Sequence, residues 1–160
     1  IILEFSPTIV SLILSGKIGS SIASQIGTMR VTEQIDALEV MGVNSLNYLV
    51  FPKIIALLLY PFVIGLSMFL GVVGGYLAAV YGGFASSTEF ITGLQDEFIP
   101  FHITYAFIKT VAFALILATI PSFHGYYMKG GALEVGKAST TSFVWTAVVI
   151  ITTNYTNFTF

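Results

Sequence analysis

From residue 48 to residue 81 the chain is almost wholly apolar, with Lys53 near its start as the one charge. That run decides the solvent. A hydrocarbon core about 30 Å thick is crossed by about 20 apolar residues in a helix, and a longer run is accommodated by tilt or kink. Pro52 and Pro61 lie inside this one, so a single long, tilted or kinked span is expected over 48–81. Three further runs have the same character: about 1–26, broken by Glu4 and Lys17; about 101–123, carrying Lys109; and about 140–160. Charged residues make up 9% of the chain, against about a quarter in an ordinary soluble domain. The expected fold is therefore an all-α integral membrane protein, a bundle of about four spans in one domain over 1–160. Ile1 opens inside an apolar segment with no signal-peptide head, which reads as a fragment with its N-terminal part upstream.

The net charge of −2 leaves no basic patch to neutralise phosphates, which excludes a nucleic-acid partner. Cysteine is absent, so disulfides, thiolate chemistry and Cys-ligated metals are excluded as well. In the first run Ser11, Ser15, Gly19, Ala23 and Gly27 fall four apart, a smooth helical stripe where another helix can approach closely. Gly71 and Gly75 form a second small-xxx-small pair.

Against this background the stretch "GTMRVTEQIDALEVMG" is an anomaly. Arg30, Glu33, Gln34, Asp36 and Glu39 crowd together, while Val31, Ile35, Leu38 and Gly42 keep helical spacing. The pattern predicts a short amphipathic helix over 30–41, with Gly42 as the C′ residue that ends it. Twelve residues at about 1.5 Å each make a rod of about 18 Å, too short to cross a membrane, so it lies at the surface. Lys17, Arg30, Lys53, Lys129 and Lys137 flank one side of the spans, whereas 82–100 carries only Glu89, Asp96 and Glu97. The positive-inside rule places the 30–41 helix and the loop at 124–139 in the cytoplasm, and the polar loop at 82–100 on the far side.

Other motifs carry little chemistry. Gly131 to Ala138 nearly spells a phosphate-binding loop, but Ala138 replaces the hydroxyl that would hold Mg²⁺ and no strand precedes it. Asn154-Tyr-Thr156 and Asn157-Phe-Thr159 match glycosylation sequons, yet both sit in or at the end of an apolar span, where polar side chains bond within a helix bundle. His102 and His124 stand at opposite ends of one span, and neither H-E-x-x-H nor G-x-S-x-G occurs. No enzymatic site is expected in this chain. Glu4 and Lys109 are different, because charges at membrane depth are costly and mark functional sites. Their opposite signs allow either a pair across a polar cavity or two separate snorkelling side chains near the membrane faces.

The stretch that begins at Gly16, "GKIGSSIASQIGTMRVTEQIDALEVMGVNSLNYLVFPK", closely resembles the signature of the MlaE (YrbE) permease family, the membrane subunits of MCE-associated ABC lipid transporters. The specific core is Met29-Arg30-Val31-Thr32-Glu33-Gln34. Met41-Gly42-Val43-Asn44-Ser45 and Pro52-Lys53 follow, and "ATIPSFHGYYMKGGALEVGKASTTSFVW" resembles the family's last cytoplasmic turn and span. Lys17 and Lys53 stand where Arg is common, Gln25 where Glu is usual, and Ser45 where Pro is usual.

The resemblance implies five spans and an interfacial helix in the full family. It makes the 30–41 helix a coupling helix that docks on a cytoplasmic ABC ATPase through Arg30, Glu33, Gln34, Asp36 and Glu39. It further implies that ATP and Mg are bound by that partner and not by this chain. Two copies of the subunit would sit beneath an MCE-domain protein in the bacterial inner membrane, moving phospholipid between that membrane and the outer envelope. Glu4 falls in the family's Arg-Glu-Leu-Gly-Pro position (here Leu3-Glu4-Phe5-Ser6-Pro7), Lys109 in its Ile-Lys-Ser/Thr-Val, and Asn154 at a polar position of the last span. The resemblance implies that these three border a lipid cavity, with Leu3 replacing a basic residue there. The competing readings are an ion or solute channel and a structural membrane scaffold.

Overall fold

A computed structural model describes residues 4–158. Leu3 and Thr159 lie outside the described residues. Seven helical segments follow one another, and no strand occurs among the described residues. Helix α1 spans Phe5–Val31, α2 Gln34–Val40, α3 Ser45–Leu57, α4 Tyr60–Tyr81, α5 Ser87–Asp96, α6 Pro100–Tyr126 and α7 Ala132–Phe158. Among the described residues four stretches are long and apolar enough to cross a membrane: Phe5–Val31, Ser45–Tyr81, Pro100–Tyr126 and Ala132–Thr156.

The small-residue stripe of α1 is the axis of the bundle. Ser11, Ser15, Gly19, Ala23 and Gly27 are all buried, and α6 and α7 pack along them. A Cβ added at Gly125 of α6 would lie 2.7 Å from the Ala23 carbonyl oxygen, and one at Gly19 would lie 3.2 Å from Pro121 Cγ. The backbones of α1 and α6 therefore meet directly, the close approach that small residues permit between membrane helices. The residues buried on α6 recur every three or four positions, from Ala106 through Lys109, Thr110, Phe113, Leu117, Pro121 and Gly125 to Tyr126. Buried hydroxyls on these faces are satisfied within their own helices: Ser122 donates to the Ala118 carbonyl and Thr146 to that of Ser142, both at 2.6 Å. Helix α1 is wound wider over Phe5–Ile9 and Ser15–Gly19, where it takes π-helical form.

Gly75, one of the glycine pair of α4, faces α5 and not a second span. A Cβ at Gly75 would approach only Phe90 of α5, at 4.0 Å. Most large apolar side chains of α4, including Phe62, Leu66, Phe69 and Leu70, are exposed, as befits a lipid-facing surface.

Local chemistry explains where the elements differ from expectation. The one span expected over 48–81 is the stretch Ser45–Tyr81, and its kink lies at Leu58 and Leu59 between α3 and α4, because Pro61 has no N–H to give and its ring obstructs the Leu57 carbonyl four residues back. The region 82–100, expected as a polar loop, contains α5. Ser86 accepts from Glu89 N–H at 3.2 Å and donates its own N–H to the Glu89 carboxylate at 2.9 Å, a reciprocal capping box. Those bonds hold the exposed Glu89 carboxyl below the ordinary carboxylate range. The expected 124–139 loop shrinks to the turn between α6 and α7, with Gly130 at φ +120°. The near-match to a phosphate loop, Gly131 to Ala138, is thus mostly the start of α7, where Lys137 pairs with Glu134 at 2.8 Å.

Candidate functional site

Two polar clusters lie at opposite ends of the bundle. The first begins with Glu4, at the head of α1. Lys109 Nζ donates to Glu4 Oε1 at 2.9 Å, and Asn154 Nδ2 donates to Glu4 Oε2 at 2.9 Å. Thr8, one helical turn after Glu4, lies 3.1 Å from Asn154 Oδ1 and 3.3 Å from Glu4 Oε2. Three helices far apart in sequence thus bring Glu4, Lys109 and Asn154 together, the pair that opposite charges allowed. Lys109 is 2% exposed, and its ammonium stands 5.9 Å from the centre of the Phe113 ring. The Glu4 side chain is 44% exposed. The arrangement is asymmetric: a buried cation held by an anion that can still reach outward. Asn154 is spoken for by this cluster, which accords with the reading of its sequon as bundle chemistry.

An apolar groove of about 740 Å³ lies elsewhere, between α4 and α5, lined by Met68, Phe69, Phe90 and Leu94 among others. Neither Glu4, Lys109 nor Asn154 lines it.

The second cluster surrounds the charged stretch. The twelve-residue helix expected over 30–41 is not continuous. Arg30 and Val31 close α1, Thr32 and Glu33 form a turn, and α2 runs only from Gln34 to Val40. At about 1.5 Å per residue this rod is about 10 Å long. The break is at Glu33, the single non-glycine residue with positive φ among those described, at 61°. Gly42, at φ +79°, ends α2 as expected. The Val43 N–H bonds the Leu38 carbonyl and the Gly42 N–H bonds that of Glu39, both at 3.0 Å, a Schellman closure. Ile35 is the one buried residue of α2. Glu33, Gln34, Asp36 and Glu39 are exposed, and so is Val40, at 88%. Ile35 seats the helix on the bundle, Leu38 is half-buried, and the other side chains of α2 are exposed.

Arg30 does not pair with Glu33 or Gln34. Its Nη1 reaches Asp36 at 3.3 Å, its Nε donates to the Tyr126 carbonyl at 3.0 Å, and its guanidinium stacks 4.7 Å from the Tyr126 ring centre. The left-handed turn at Glu33 carries a testable constraint. Such a conformation costs about 1–2 kcal/mol for a side chain that cannot relieve it locally, and asparagine tolerates it better than β-branched residues. Glu33→Asn should leave the melting temperature in detergent unchanged, whereas Glu33→Val should lower it. Equal melting of the two variants would show that the turn is not held in this conformation.

A sequence model of the family described as Permease MlaE matches residues 1–159. The chain belongs to the MlaE permease family. This MlaE-family chain is 38% identical over 153 residues to a probable ABC transporter permease protein of Rickettsia bellii, covering 95% of this chain and 59% of the relative. It is 34% identical to a similarly named protein of Synechocystis, over 95% of this chain and 58% of the relative. It is also 34% identical to the chloroplastic protein TRIGALACTOSYLDIACYLGLYCEROL 1 of Arabidopsis thaliana, over 95% of this chain and 44% of the relative. The chain spans just under three fifths of the length of the bacterial relatives it matches. With four apolar helices of spanning length, this member of the MlaE family is a multi-pass membrane protein.

Sequence reasoning missed Thr8, Ser45 and Tyr126. Thr8 could have been found from its place one turn after Glu4. Tyr126 continues the buried period of α6, which Tyr127 does not.

Proposed function

We propose that this chain is the permease subunit of an ABC transporter that moves phospholipid between the inner membrane and the outer envelope, driven by a separate cytoplasmic ATPase. The observation that carries the reading is α2, a short rod outside the spans, with Ile35 as its one buried side chain and with Glu33, Gln34, Asp36 and Glu39 exposed. A surface of that kind suits a soluble partner, and the names of the Rickettsia and Synechocystis relatives point to the ATPase of an ABC transporter. In this reading α2 is the coupling helix, and ATP and Mg stay on the partner. The lipid end is the Glu4–Lys109–Asn154 cluster. An anionic phosphate headgroup competes with Glu4 for the Lys109 ammonium, and Asn154 offers an amide to either. The working unit is then two copies of the permease beneath an MCE-domain protein, with α2 and the α6–α7 turn facing the cytoplasm.

A channel would need rings of polar side chains along a pore, whereas the charges at depth here neutralise each other in one corner. A scaffold gives no reason to hold a left-handed turn and an exposed rod between two spans. Reversing Glu33 and Asp36 to lysine tests the coupling reading. Asp36 loses its bridge to Arg30, but an exposed pair contributes only about 0–1 kcal/mol, so the permease stays inserted. Recovery of the ATPase with the solubilised permease should fall about tenfold, the effect of ~1.4 kcal/mol. Undiminished recovery at both low and high salt would remove α2 as the docking site.

A further inference from the structure

Where α2 meets the bundle, three oxygens from three helices converge. The Tyr126 hydroxyl lies 2.7 Å from Ser45 Oγ and donates to Glu39 Oε1 at 3.2 Å, while Ser45 Oγ lies 3.0 Å from the same carboxylate oxygen. Tyr126 is 7% and Ser45 2% exposed, so these two hydroxyls face Glu39 from inside the protein. We propose that Tyr126 is a positioning residue that fastens α2 to the C-terminal end of α6, so that a displacement of α2 is delivered to the helix carrying Lys109. The inference rests on the coupling reading of α2 and adds to it the element that transmits the motion.

Three observations support the assignment. First, Tyr126 holds α2 at two points. Its hydroxyl binds Glu39 near the end of the helix, and its carbonyl and ring hold Arg30, which grips Asp36 near the start. Second, α2 has little else to hold it. Ile35 is its one buried side chain, and non-helical backbone flanks it at Thr32–Glu33 and beyond Met41. Without the polar contacts, a push on α2 would be absorbed in those flanks. Third, α6 cannot absorb the push where it receives it. Gly125, next to Tyr126, is packed against the Ala23 backbone of α1, and α6 stays helical from Tyr126 back to Lys109 through the buried Pro121, about 25 Å at ~1.5 Å per residue.

Tyr126→Phe removes the hydroxyl and keeps the ring beneath Arg30. Two measurements judge it separately. On the solubilised permease alone, backbone amides of α2 should exchange with deuterium at least about tenfold faster than in the native chain. In the reconstituted complex, the ATPase should co-purify as before and hydrolyse ATP, while phospholipid transferred per ATP hydrolysed falls about tenfold. Ser45→Ala should give a smaller loss. The double variant should be no worse than Tyr126→Phe, because both changes strike one contact. Unchanged exchange in α2, unchanged transfer per ATP, or additive losses in the double variant would each overturn the proposal. If the native chain recovers no ATPase, it is the coupling reading that fails, and the exchange measurement still decides whether Tyr126 fastens α2.

Discussion

Glu4→Ala should destabilise the solubilised permease more than any other single change to a polar side chain. It takes the Glu4 carboxylate away from an ammonium that is 2% exposed. Breaking a buried ion pair from one side costs about 3–5 kcal/mol, and the low end, about 3 kcal/mol, applies here because the Glu4 side chain is partly exposed. Lys109→Ala acts differently. Glu4 keeps the Asn154 amide at 2.9 Å, so the fold survives while the cation for a headgroup is gone. In a reconstituted transfer assay Lys109→Ala should lose phospholipid movement and still bind the ATPase. The double change Glu4→Ala with Lys109→Met should recover most of the lost stability without restoring transfer, since an apolar side chain of similar volume replaces a buried charge at little cost. Normal lipid transfer by Lys109→Ala would reduce the cluster to a structural ion pair. Native melting of Glu4→Ala would show that Lys109 does not depend on it.

Gly125→Ala tests the other strong constraint, the contact of backbone with backbone. The added methyl would stand 2.7 Å from the Ala23 carbonyl oxygen and 3.0 Å from Ile26 Cβ. Neither neighbour is the tip of a flexible chain, so α1 and α6 must separate. Overpacking of this kind costs about 1–3 kcal/mol, and Gly125→Leu should prevent assembly of the bundle. Gly93→Ala on α5 is the matched control, because nothing lies within 4 Å of its Cβ position. The pair should melt several degrees apart in detergent. Coincident melting would mean that the helices yield at Gly125 without loss.

Much of this architecture can be read from the chain. Apolar runs long enough to cross a bilayer dictate helices, because backbone polar groups in lipid must be satisfied within the segment. The small-residue stripe of α1 marks its buried face for the same reason that it repeats: one side of a helix recurs about every four residues. Gly42 ends α2 as its spacing implies, since only glycine enters the left-handed conformation freely. The opposite charges of Glu4 and Lys109 point to their pairing, because an ion at membrane depth is costly without a partner.

What the chain does not carry locally is how far each helix runs and which side chains meet. Polarity suggested loops at 82–100 and 124–139, but a capping box and a glycine turn let helix continue into polar sequence. These are bonds between particular backbone atoms, invisible to hydropathy. A continuous period through 30–41 suggested one rod, yet the fold bends it at Glu33 so that Ile35 can reach the bundle while Arg30 stays on α1. Arg30 finds Asp36 and Tyr126 instead of a neighbour one turn away, because the bend removes the helical register that would have paired it locally. Tyr126 and Ser45 become significant only when α3 and α6 arrive beside α2, since a hydroxyl has a role only once the packing of distant segments brings it a partner.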